Sequence, residues 1–149
     1  MIYANLSAFL QQGKAALAKG PVGLIMVEDD VEIRSTIDHH LRVGFQAIVV
    51  FAGNEIAPLD NLEPNVDWVT HDMAEEAALE TAVNGVIAAA PGLWFYYCYN
   101  GEYLHYPFSE DRTVGEMLAF NTEERRETVL TFTVDLYAGD LGKHPMQCP

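Results

Sequence analysis

Short unbroken apolar runs alternate along this chain with polar stretches in which apolar residues recur at helical spacing. GLIMV (23–27), QAIVVFA (46–52), VDWVTH (66–71) and LWFYYCY (93–99) have the character of strands buried on both faces. Between the first two, DDVEIRSTIDHHLRVGF sets Val31, Ile33, Ile37, Leu41 and Val43 on a helical stripe, with Asp29 or Asp30 to cap it and Gly44 to end it. Residues 23–52 therefore read as a βαβ unit. AEEAALETAVNGVIAAA (74–90) predicts a second helix, with acids in its first turn and Pro91-Gly92 as its stop.

The flanks extend this pattern. MIYANLSAFLQQGKAALAKG (1–20) reads as an amphipathic helix outside the sheet, closed by Gly20-Pro21. EYLHYPF (102–108) suits a short hairpin arm, TVGEMLAFNTEERRE (113–127) a helix and the β-branched TVLTFTVDLYA (128–138) a further strand. Residues 108–140 thus add a helix and a strand to the core at 23–107, and residues 141–149 are expected to form an extended or disordered tail. Strands alternating with helices predict an α/β fold, Rossmann-like, with a mixed, mostly parallel sheet. At 149 residues, half of them apolar, the chain is one domain with a sizeable core.

Composition narrows the partners. With 22 acids against eight Lys and Arg, the formal charge is −14, which excludes nucleic acid and anionic membranes, since phosphate binding needs clustered cations. Cys98 and Cys148 belong to no CxxC pair, so neither a disulfide framework nor zinc is expected. No run approaches a membrane span, and the start is no secretory signal, so a cytoplasmic protein is expected.

Three constellations carry candidate chemistry. Glu28-Asp29-Asp30, followed by Asp72 after the third strand, resembles the acidic pocket of phosphoacceptor receiver domains. That family also uses a late lysine, and none occurs between Lys19 and Lys143. His39-His40 is the second. Adjacent helical residues point roughly 100° apart, so the pair cannot face one ion, and the pattern assigns one ring to the core and the other to solvent.

The third joins more of the chain. IMVEDDVEIRSTIDHHLRVGFQAIVVFAGN and GLWFYYCYNGEYLHYP, continuing through RTVGEMLAF to VDLYAGD, resemble family 2-like glycosyltransferases of the GT-A fold over most of residues 23–140. In that family a D-x-D-E-F-L motif follows the fourth strand. Here Tyr99-Asn100-Gly101-Glu102 stands there, with Tyr99 and Gly101 at the two aspartate positions, so the motif is degenerate and only Glu102, Leu104 and Pro107 keep its pattern.

The resemblance implies a GT-A half that binds a nucleotide-sugar donor through Glu28, Asp29 and Asn54, with Mg²⁺ or Mn²⁺ near Glu102 and a glycan or other hydroxyl acceptor. Asp135 and Asp140 are the acids available as catalytic base, and Arg112, Arg125 and Arg126 the cations available to replace the metal. Enzymes of this kind continue further, so the chain is expected to be a fragment or a minimal domain. A catalytically silent glycan- or protein-binding module of the same fold is the alternative. Tyr99-Asn100-Gly101 also reads simply as a tight turn, because Asn-Gly favours turns.

Overall fold

The computed structural model describes residues 1–135. Among these, five parallel strands form one sheet: β1 (Ile2–Tyr3), β2 (Val22–Val27), β3 (Ala47–Ala52), β4 (Val66–Thr70) and β5 (Phe95–Tyr99), in the order β1-β4-β3-β2-β5. The α/β class is as the apolar runs predict. The sheet is parallel throughout the described residues rather than mixed.

The helices are α1 (Leu6–Gln12), a 3-10 helix (Lys14–Lys19), α2 (Ile33–Arg42), α3 (Ala78–Ala89) and α4 (Val114–Glu123). Every residue of β2 and β3 is buried, which is why these strands read as continuous apolar runs. Side chains then alternate between two cores. Ile25, Val27, Ile48, Val50, Trp68 and Cys98 face α2 and α4, whereas Leu24, Met26, Val49, Phe51 and Val69 face the opposite side with Phe9 of α1 and Val86 of α3. Each such aliphatic side chain contributes roughly 1.5–3 kcal/mol by leaving water.

Several expectations are corrected. Residues 1–20 are not one helix outside the sheet: Ile2–Tyr3 pairs with Trp68 and Val69, and Asn5 caps a seven-residue helix by accepting from the Ala8 amide. α2 begins at Ile33, because Glu32 takes φ +57° and Asp29 spends its carboxylate on the Val31 amide instead of capping the helix. Residues 102–108 contain turns and no strand, so there is no hairpin arm. The described part of the predicted strand at 128–138 is irregular and exposed, with Leu130, Phe132 and Val134 at 75–83 % exposure. Strand propensity did not supply a pairing partner. The rest of that strand, and the tail, lie outside the described residues.

Candidate functional site

In sequence β2, β3 and β4 step along the sheet in one direction, and β5 returns to the far side of β2. The direction therefore reverses between β2 and β5. Open parallel sheets bind ligands at the carboxyl ends of their strands beside such a reversal, because the outgoing loops part there. The loops at this place are 28–32 after β2 and 99–102 after β5.

The second loop is a hydrogen-bonded turn. The Glu102 amide donates to the Tyr99 carbonyl at 3.2 Å, and Gly101 takes φ +80°, which glycine adopts without a Cβ penalty. Glu102 Oε2 accepts from the Tyr99 amide at 2.8 Å, and Thr36 Oγ1 of α2 accepts from the Gly101 amide at 2.9 Å. The Asn-Gly turn expected from sequence is present.

Asn100 ties the two loops together. Its Nδ2 donates to Asp29 Oδ1 at 2.6 Å and to the Val31 carbonyl at 2.8 Å, while its Oδ1 accepts from the Glu28 amide at 3.0 Å. Beside it, the Tyr103 hydroxyl donates to Glu32 Oε2 at 3.2 Å and lies 2.8 Å from Ser35 Oγ, which also bonds Glu32. The carboxamide thus bridges the two loops at the reversal.

Glu28, Asp29 and the 99–102 turn are therefore neighbours. Asn54 is exposed at the start of the loop after β3, on the same edge. Asp135 is exposed outside the sheet and enters none of these bonds; Asp140 lies outside the described residues. Thr36 and Ser35 were missed, because hydroxyls that meet the turn segment from 65 and 68 positions away carry no spacing signal.

The electrostatics of this edge are acidic. Burial and then Glu28, Glu102 and Glu80 hold the Tyr99 phenol above its ordinary range. Arg34, the cation at the start of α2, is turned away to Glu63 at 3.0 and 3.1 Å. Arg112 pairs with Glu116 and Arg126 bonds Asn121, both on α4, whose start packs on Val43 and Gly44 at the amino end of the strands. Neither is placed to neutralise a diphosphate at the β5 turn.

The turn does not fit a resident Mg²⁺ or Mn²⁺. Tyr99 and Gly101 bring no carboxylate, and Glu102 is spent on the Tyr99 amide. Among the described residues, no three His, Cys, Asp or Glu side chains converge as a metal-binding group. A hard cation takes six or more oxygen ligands, of which this turn offers few.

The histidine pair is also corrected: both rings are buried. His40 Nδ1 bonds the Thr36 carbonyl at 2.7 Å, and its ring stacks on Tyr96 and lies 3.9 Å from Cys98 Sγ. Burial lowers His40 to about 4 and pushes the Cys98 thiol up to about 12, with Glu102 adding to the latter. His39 is covered by residues 103–105. On β5, Tyr96 faces the α2 core and Tyr97 is 54 % exposed.

No described helix is long and apolar enough to cross a membrane. No family model, curated protein or solved structure matches the chain.

Proposed function

We propose that the chain is a glycosyltransferase-like domain that takes a nucleotide-sugar donor at the carboxyl edge of β2, β3 and β5. One observation carries this reading: the 99–102 turn docks on the 28–32 loop where the strand direction reverses. The order β4-β3-β2-β5 also corresponds to the 3-2-1-4 half of doubly wound nucleotide-binding sheets.

The reading is one of donor binding. Transfer to an acceptor hydroxyl needs a carboxylate to take the proton, and the exposure of Asp135 outside the sheet lends that step no support. Because the edge is acidic, a diphosphate would meet repulsion there unless a cation accompanied it. Calorimetric titration with UDP and GDP, each with and without Mn²⁺, tests the proposal. Saturable binding of either nucleotide supports it, and the metal arm shows whether the cation enters with the donor. No binding under any condition overturns it.

A second reading has its own support. Asn100 spends its carboxamide on Asp29, Val31 and the Glu28 amide, bridging the two loops, as suits a silent module that binds a glycan or a partner protein. Such a module leaves the same titrations flat.

A further inference from the structure

We propose that two copies of this chain pair by exchanging strands: residues 128–134 of each add antiparallel to the open edge of β5 in the other, with Leu130 opposite Tyr97. The interface lies on the side of β5 away from β2 and stands whether or not the carboxyl edge binds a donor.

The sheet leaves one long edge open. Among the described residues β5 pairs with β2 alone, while the other outer strand, β1, has only two residues. The Trp94 carbonyl accepts from the Val22 amide and the Asn100 amide donates to the Met26 carbonyl, so alternation turns the backbone groups of Phe95, Tyr97 and Tyr99 outward. Glu102 occupies the Tyr99 amide, and among the described residues no strand takes up the groups of Phe95 and Tyr97. Such an edge is a template for a further strand.

The same chain carries a strand sequence without a sheet. TVLTFTV (128–134) is rich in β-branched residues, and Leu130, Phe132 and Val134 are exposed. A period of two sets these three on one face and Thr131 and Thr133 on the other. Laid along β5, the apolar face continues the row of Phe95, Tyr97 and Tyr99, in which Phe95 and Tyr99 pack toward α1 and α3 and Tyr97 is exposed. Leu130 then meets Tyr97 and Phe132 meets Phe95, as cross-strand pairs of the kind that stabilise sheets. A slip of one residue would set threonines there instead.

The segment cannot serve its own β5. α4 ends beside the amino end of that strand, where Thr122 accepts from the Trp94 indole and the Arg125 and Arg126 amides turn back to Thr122 and Asn121. An antiparallel strand must start at the opposite end of β5, and Glu127 alone does not span its length of roughly 13 Å. A parallel strand could start where α4 ends. Its connection from β5 passes over α2, where the Leu104 carbonyl lies 2.9 Å from His39 Nε2. That is the face of the β2-α2-β3 crossover, but the step across the sheet runs the other way, so the two connections would have opposite hands. Parallel crossovers keep to the right hand.

Charge selects the surfaces and the direction. A chain of charge −14 repels its copy, yet neither 95–99 nor 128–134 contains a charged residue. The antiparallel direction brings Arg125 of one copy toward Glu28 and Glu102 at the carboxyl end of β5 in the other. Reciprocal exchange uses the same surfaces on both copies and closes as a dimer.

Sedimentation of the full chain over a dilution series should reach twice the chain mass. A mixture of isotope-labelled and unlabelled copies should then show isotope-filtered Overhauser contact between the Tyr97 ring and the Leu130 methyl groups, a contact that arises only between copies. Leu130→Pro, at an exposed position, removes the amide that would bond Tyr97; it should keep the His40–Tyr96 contact of the core and weaken association by about tenfold or more. A single-chain mass at every concentration, a dimer without the filtered contact, open-ended assembly, or a proline variant that associates like the parent would each overturn the exchange.

Discussion

Asn100 and Asp29, 71 positions apart, are joined by a 2.6 Å hydrogen bond from carboxamide to carboxylate across the point where the sheet reverses direction. Two further bonds from the same side chain reach the Glu28 amide and the Val31 carbonyl. A net hydrogen bond is worth about 1 kcal/mol and less where water competes, so Asn100→Ala should cost about 1–2 kcal/mol. Asn100→Asp should cost more near neutral pH, because it sets a second carboxylate against Asp29. Urea unfolding of both variants checks this, and an alanine variant as stable as the parent would remove Asn100 as the tie.

His40 makes stability depend on pH. Its folded value of about 4 lies below the ordinary 6.5, so between these values the unfolded chain binds more protons than the folded one. Stability should therefore fall as pH drops through this window, by roughly 3 kcal/mol in all. The excess of acids acts oppositely, because their protonation relieves repulsion. Comparison with His40→Gln isolates the histidine: the variant should lose less stability between about pH 7 and about pH 4.5. Parallel curves for the two proteins would contradict the assignment.

The sequence pattern located β2, β3, β4 and β5 because parallel strands buried on both faces need only an apolar run, whatever its period. It did not show β1, since Ile2 and Tyr3 are too few to form a pattern and are strand only through Trp68 and Val69. The opposite failure is 128–134, which has β-branched composition without a partner strand among the described residues. At the site, Asn100-Gly101 was legible as a turn because that signal is local. The reach of Asn100 to residues 28–31 was not, and neither was the cover over His39, because both depend on how distant loops pack.

The two turn glycines should respond differently to alanine. At Gly101, with φ +80°, an added Cβ meets nothing within 4 Å, so Gly101→Ala pays only for left-handed backbone, roughly 1–2 kcal/mol. At Gly44, with φ +106°, the Cβ would lie 3.0 Å from Thr113 Cβ. Thr113 caps α4 by accepting from the Glu116 amide, so it cannot yield freely. Gly44→Ala should therefore melt below Gly101→Ala, and thermal denaturation that gave the reverse order would refute this account.

Glu102 separates the charge of the turn from its shape. Its Oε2 accepts from the Tyr99 amide, a role that a glutamine oxygen also fills. If the turn serves the donor by holding its backbone, Glu102→Ala should weaken nucleotide binding at least tenfold, about 1.4 kcal/mol, while Glu102→Gln stays near the parent. Should the carboxylate instead hold a cation brought with the diphosphate, both variants would lose binding equally in the presence of Mn²⁺ although the glutamine variant unfolds like the parent. The lack of other carboxylates at Tyr99 and Gly101 favours the first outcome, since one charged oxygen group is a weak anchor for a hard cation. Titration of the two variants beside their unfolding curves decides between shape and charge, and equal loss of binding in both would overturn the view that Glu102 acts by capping the turn.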